Sequence, residues 1–214
     1  LTFEEIIVNV KPNFSLIEVM NLTPLVIASY VEETLAEKEA KRLRTSCQCF
    51  EIEAQIEPGN GCDKPTFILQ KLMQNERPVL WVNVDAVFLK PASFTEFESS
   101  DFSVRLNEFL PKSHTHRIET QVVFARPTQH VVALLKTWHS LLENAAEPVD
   151  HIALRDALES TSAIEFLSMP LQFCRLYSFD DFFISQRDMV IEHRTTSNPT
   201  APILHECCSS HCCD

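Results

Sequence analysis

Glycine is almost missing from this chain: of 214 residues only Gly59 and Gly61 are glycine, separated by Asn60. Two such residues cannot write a GxGxxG fingerprint or a Walker loop, so any nucleotide bound here must be held by something other than a glycine-rich cradle. Basic residues are also scarce, 18 Lys and Arg against 30 Asp and Glu, for a formal charge of -12. Neutralising a phosphate backbone takes many cations, which argues against nucleic acid as a partner. No apolar run approaches the roughly 18 residues of a membrane span. The first ten residues carry Glu4 and Glu5 where a secretory leader needs basic and then apolar residues. Together these absences predict a cytoplasmic protein with no membrane span.

What is present is ordinary globular composition, 45% hydrophobic and 22% charged, enough chain for one α/β domain with a substantial core. We place that domain at residues 1–198 and a Cys- and His-rich flexible tail at 199–214. The eight cysteines divide into four scattered ones (Cys47, Cys49, Cys62, Cys174) and a terminal cluster (Cys207, Cys208, Cys212, Cys213). A chain this long with no secretory signature predicts reduced thiols for the scattered four. The adjacent cysteines of the tail match no standard zinc spacing, which leaves a reduced tail or lipid attachment as its readings.

Periodicity supplies the elements. Pro24 to Tyr30 reads as a strand and Val31 to Arg44 as a helix; Cys49 to Ile56 alternates like a strand with one wet face. Asp63 caps a helix that tolerates Pro65 in its first turn and stops at Arg77-Pro78. An apolar strand, Val79 to Val84, follows. Strands are also expected at Phe102 to Leu106, Ile118 to Ala125, Ile164 to Leu167 and Met189 to Glu192, with a loop at Pro111 to Arg117. Val131, Leu134, Leu135, Trp138, Leu141 and Leu142 form one stripe of a helix at Thr128 to Ala145, and a shorter helix begins near Asp150. Alternating strands and helices in the first half predict right-handed βαβ units, a mostly parallel sheet and a three-layer α/β/α sandwich.

The most informative stretch is Pro78-Val-Leu-Trp-Val-Asn-Val-Asp-Ala-Val-Phe88, an apolar strand that runs straight into Asn83-Val84-Asp85. If the strand continues through the triplet, Asn83 and Asp85 share a face at the carboxyl end, where open α/β sheets bind ligands. A carboxylate there and a histidine from a later strand, Asp85 and His193, would suit Mg or Mn completed by phosphates. The alternatives are that Asp85 starts a turn and that His193 is a hydrogen-bonded core residue. Lys64, at a helix start, is either an anion contact or a solvated cation. Asp150 is by default an N-cap, and Arg105 and Arg117 are phosphate partners or surface residues.

The order of these pieces, Pro24-Leu-Val-Ile-Ala-Ser-Tyr30, Lys64-Pro-Thr-Phe-Ile68, Val79 to Val87, Asp150 opening a helix and Val190-Ile-Glu-His193, resembles the nucleotide-diphospho-sugar transferases of the GT-A fold, over about Pro24 to Thr196. The resemblance implies a Rossmann-like α/β sandwich and a metal-dependent glycosyltransferase that moves a sugar from a nucleotide-diphosphate donor to an unknown acceptor. It assigns Asp85 and His193 to a divalent cation, Mn or Mg, and Asn83 to the first position of the family's Asp-x-Asp triplet, beside the ribose. Ala28, Ser29 and Tyr30 would line the nucleobase pocket, Lys64 would meet the nucleotide, and Asp150 would face the sugar or acceptor, so Lys64 and Asp150 are the candidate catalytic residues. Three departures stand out: Asn83 for aspartate, no glycine in Ile118-Glu-Thr-Gln-Val-Val-Phe124, and His151 where the family commonly has glutamine. They motivate a second reading, a nucleotide-sugar-binding module with weak or no turnover. A third is a metal-dependent phosphohydrolase built on Asp85 and His193.

Overall fold

Short runs of Val, Ile, Leu and aromatic residues become strands when both faces can be buried, and this chain assembles six of them into one sheet. The computed structural model describes residues 23–30, 34–59, 63–95, 99–106, 118–161, 164–176 and 188–193. The strands are β1 Leu25–Tyr30, β2 Ala54–Pro58, β3 Val79–Val82, β4 Ala86–Phe88, β5 Phe102–Leu106, β6 Ile118–Ala125, β7 Phe166–Ser168, β8 Arg175–Leu176 and β9 Ile191–His193. The helices are α1 Thr34–Cys49, α2 Lys64–Asn75, α3 Gln129–Asn144 and α4 Asp150–Ser160, and a 3-10 turn spans Leu171–Phe173. The central sheet has the order β2-β1-β3-β6-β5-β7. Only β6 runs against its neighbours, antiparallel to β3 and β5, while the remaining pairs are parallel. The sheet is therefore mostly parallel, in keeping with the alternation of strands and helices in the sequence.

Strand residues alternate between two cores because successive side chains point to opposite faces. Leu25, Ile27, Val79 and Trp81 face one way and pack with Phe67, Ile68 and Leu72 of α2, Val131, Leu134, Leu135 and Trp138 of α3, and Leu154 of α4. Val26, Ala28, Leu80 and Val82 face the other way, against Ala40, Leu43 and Cys47 of α1. That second layer is only partly helical. A small sheet of order β4-β9-β8 completes it, contributing Ala86, Phe88 and Ile191.

Helix boundaries follow local chemistry. Asp63 accepts from the Thr66 backbone N–H and Pro65 occupies the first turn of α2, as its sequence predicts; Glu76 ends the helix at φ 51. Thr128 caps α3 by accepting from Val131 N. Several boundaries differ from expectation, among them β7 and β9, each of which starts two residues later than its pattern predicts. α1 runs to Cys49 and β2 begins only at Ala54, because Leu43 and Cys47 continue the buried stripe of the helix and Glu51, at φ 56, makes the turn. The alternation at Cys49 to Ile56 thus straddled a helix end and a turn. β3 stops at Val82, two residues short, since Ala86 N bonds Asn83 O and turns the chain out of the sheet. The expected loop at 111–117, with Arg117, and the tail at 199–214 lie outside the described residues.

Leu72 is fully buried between α2 and the sheet, whereas Leu35 on α1 is 51% exposed. Leu72→Ala should lower the urea unfolding free energy by about 2–5 kcal/mol, and Leu35→Ala should change it by less than about 0.5 kcal/mol.

Candidate functional site

The reversed direction of β6 brings its first residues to the carboxyl end of β3. Val82 pairs with Val122, and one step further Asn83 N donates to Gln121 O at 2.9 Å. Thr120 and Gln121 therefore stand beside Asn83 at the edge where parallel strands of α/β sheets meet ligands. Trp81 Nε1 donates to Asn83 Oδ1 at 3.2 Å, which fixes the Asn83 amide over the face carrying α2, α3 and α4.

Asp85 lies beyond the strand, in the turn between β3 and β4, so the period of two is not what orients it. The second sheet does that instead. Ala86 of β4 pairs with His193 of β9, and the ladder sets the imidazole next to the carboxylate, with His193 Nδ1 3.1 Å from Asp85 Oδ1 across 108 positions of sequence. The His193 side chain is 1% exposed and that of Asp85 18%. Burial pushes the Asp85 carboxyl up, but the hydrogen bond and charge of His193, with Arg42 nearby, outweigh it and hold Asp85 below its usual 3.8. Glu39 on α1 is pushed the other way, first by burial and then by the neighbouring Asp85 charge. His193 Nε2 is buried and has no hydrogen-bond partner among the described residues. Among the described residues no group of three or more His, Cys, Asp or Glu is arranged to hold a metal ion.

On the opposite face Lys64 and Asp150 meet. Lys64 Nζ donates to Asp150 Oδ2 at 2.5 Å and to Thr120 O at 2.8 Å, and Thr120 Oγ1 donates to the same Oδ2 at 2.7 Å. The Lys64 cation also sits 5.6 Å from the centre of the Trp81 ring. Burial lowers its pKa, opposed by the charge and hydrogen bond of Asp150. Asp150 is not the N-cap its position suggested: Val149 holds that place without a side-chain bond, and Asp150 is the first helical residue. The side chain is drawn away from the helix end by Lys64 and Thr120, while its carbonyl accepts from Trp138 Nε1 at 3.1 Å. Nor is Lys64 a solvated cation, its side chain being 14% exposed.

Ala28, Ser29 and Tyr30 close β1. Ala28 is wholly buried in the core under α1, Ser29 and Tyr30 are half-buried, and Tyr30 O accepts from Gly59 N at 2.6 Å. Arg44 lies over the Tyr30 ring at 5.6 Å. Arg105 is not a surface residue; its buried guanidinium pairs with Glu119 at 3.0 Å. Among the described residues Cys47, Cys49 and Cys174 form no disulfide, and Cys62 lies outside them.

Sequence reasoning passed over Thr120, Gln121 and Trp81. All three looked like strand filler, and only the β3–β6 pairing shows that they border Asn83, Lys64 and Asp150. A polar Glu-Thr-Gln run opening an otherwise apolar strand was the available signal. The depressed Asp85 pKa has a definite sign in stability. Its contribution is fully present above pH 3.8 and is lost as pH falls through the lower folded value. Asp85→Asn should therefore be less stable than the native chain at pH 6, with the gap closing below about pH 3.8, as followed by urea unfolding across a pH series.

Comparison with known proteins bears on the family and the fold. A family model described as nucleotide-diphospho-sugar transferase matches residues 63–210. Among solved structures, a glycosyltransferase involved in the glycosylation of the major capsid of PBCV-1 superposes with a TM-score of 0.59 at 15% identity, over 82% of this chain and 95% of that one. The glycosyltransferase GlyE of Streptococcus pneumoniae TIGR4, in its apo form, gives 0.45 at 10% identity over 71% of this chain and 46% of its own. A sequence search of curated proteins found no significant match. The first superposition shows the fold, the family match spans more than half of the residues, and this chain belongs to the nucleotide-diphospho-sugar transferase family.

Proposed function

We propose that the carboxyl edge of β1 and β3 binds a nucleotide-diphosphate sugar, with a divalent cation at Asp85 and His193, and that the chain transfers the sugar to an acceptor in the manner of GT-A enzymes. The observation that carries this reading is the meeting of Asp85 and His193 beside the end of the Trp81 strand. A carboxylate and an imidazole 3.1 Å apart could share one cation once the bond between them is given up, and Mg or Mn needs few protein ligands when phosphates supply the rest. Asp85 and His193 thus fit the ion in number and chemistry. When bound, the cation would offset the charge of the diphosphate as it leaves.

The chain's own groups would do the remainder. Lys64 is held at the start of α2 by Asp150, Thr120 O and the Trp81 ring, a fixed positive charge on the donor side of the edge that stabilises developing negative charge without reorganisation. Lys64 and Thr120 both bind Asp150 through Oδ2. Oδ1 is then the oxygen that would face the sugar or acceptor. Ser29 and Tyr30 would flank the nucleobase over the buried Ala28, and the Asn83 amide would reach the ribose. The acceptor is a glycan, a protein or a small molecule, and the compartment we propose is the cytoplasm.

A second reading, a binding module with little turnover, is favoured by one observation: Asp150 already offsets the charge of Lys64, and Asn83 supplies no charge of its own. Thermal-shift measurements with UDP-, GDP- and CDP-sugars, with and without Mn, test the shared part of both readings. A nucleotide-sugar should raise the melting temperature in Mn and much less in EDTA, and Asp85→Ala should erase the difference. No response to any donor would overturn both. Release of nucleoside diphosphate separates them. Under the transferase reading, Lys64→Met and Asp150→Asn each slow release by about 10²- to 10³-fold with folding retained. Under the module reading the native protein releases none and Asn83→Asp starts it.

A further inference from the structure

We propose that Gln121 selects the sugar of the donor, its side-chain carbonyl accepting a hydrogen bond from a sugar hydroxyl; this rests on the nucleotide-sugar reading above. Gln121 Oε1 is buried and has no hydrogen-bond partner among the described residues, although the residue as a whole is only half-buried. A carbonyl oxygen stripped of water and left without a donor is rare in a folded protein and calls for an external one. An amide oxygen accepts and does not donate. The diphosphate, which offers only acceptors, cannot satisfy it, and a hydroxyl can.

Its position fits a sugar. The pairs Trp81↔Val123 and Val82↔Val122 continue into the Asn83 N to Gln121 O bond, so Gln121 stands directly across from Asn83 on the neighbouring strand. Asn83 is already tied by Trp81 Nε1. The residue before Gln121 is Thr120, which binds Asp150 and, through its carbonyl, Lys64. Gln121 therefore lies between the proposed ribose contact and the proposed sugar or acceptor contact. The β5–β6 register supplies the local cause: Val104 pairs with Val123 but Arg105 pairs with Glu119, so residues 120–122 are extra on β6. Such an irregularity re-aims side chains beside a site, and here it releases Gln121 from the ladder with β5.

The test compares UDP-glucose, UDP-galactose and GDP-mannose with UDP and GDP by calorimetry in Mn, on the native chain, Gln121→Ala, Gln121→Leu and Gln121→Glu. The Ala and Leu variants should bind the best nucleotide-sugar about 5- to 20-fold more weakly, the loss of one hydrogen bond, and bind the matching nucleoside diphosphate unchanged. Gln121→Glu, which keeps an acceptor, should retain most of the sugar-dependent affinity. Equal losses for sugar and diphosphate, or no loss for either, would overturn the role of Gln121 while leaving the nucleotide-sugar reading intact. If the native chain binds none of the five compounds, that reading fails and this one with it. Circular dichroism on each variant separates lost contacts from lost fold.

Discussion

The antiparallel pairing of β6 with β3 is the constraint on which the site depends. Were β6 parallel like its neighbours in the sheet, its first residues would lie at the opposite end from Asn83. Because it is reversed, Val82 meets Val122, and the polar residues Thr120 and Gln121 arrive at the carboxyl edge just where β3 gives out. The same strand carries Val122, Val123 and Phe124 into the two cores, so the burial that stabilises the fold also anchors the edge that holds the polar groups.

Two charged clusters flank that edge, one on each face of the sheet. Asp85 and His193 sit on the side of α1 and the small sheet; Lys64, Thr120 and Asp150 sit on the side of α2, α3 and α4. Each is a set of polar groups removed from water, and such groups persist only when they satisfy one another or a ligand. The Lys64–Asp150 pair is satisfied internally. Among the described residues His193 Nε2 and Gln121 Oε1 have no such partner. The acidic character of the chain matters here as well. With a formal charge of -12, a dianionic diphosphate meets overall repulsion, so local cations such as Lys64 must supply the attraction.

Several elements were legible without coordinates. β6 has the bounds its pattern predicts, α3 shows its stripe of Val131, Leu134, Leu135 and Trp138 in the core, and Asp63 caps α2. These signals are local: a period, a cap, a proline. The misread places share a different trait. The end of β3 was set too far because Asn83-Val84-Asp85 alternates as a strand would, while the turn that removes Asp85 is closed by a backbone bond with no sequence signature. The end of α1 was set too early because Ser46 and Cys47 look neutral in helix propensity, and only their burial keeps the helix going. Asp150 looked like a cap because the partner that draws its carboxylate away, Lys64, lies 86 positions earlier.

By itself the sequence determined which segments become strands and helices, that both faces of the central strands are apolar, that no glycine cradle is available, and which polar residues stand at element ends. Those properties follow from neighbours in the chain and from the periods of 2 and 3.6. The tertiary structure alone decided that β6 runs backwards, that Asp85 meets His193 through the β4–β9 ladder, that Lys64 is bound by Asp150 and Thr120, and that Gln121 stands across from Asn83. Each of these joins residues distant in sequence through hydrogen bonds whose partners are chosen by strand order and register, and neither period nor composition encodes register between segments that far apart.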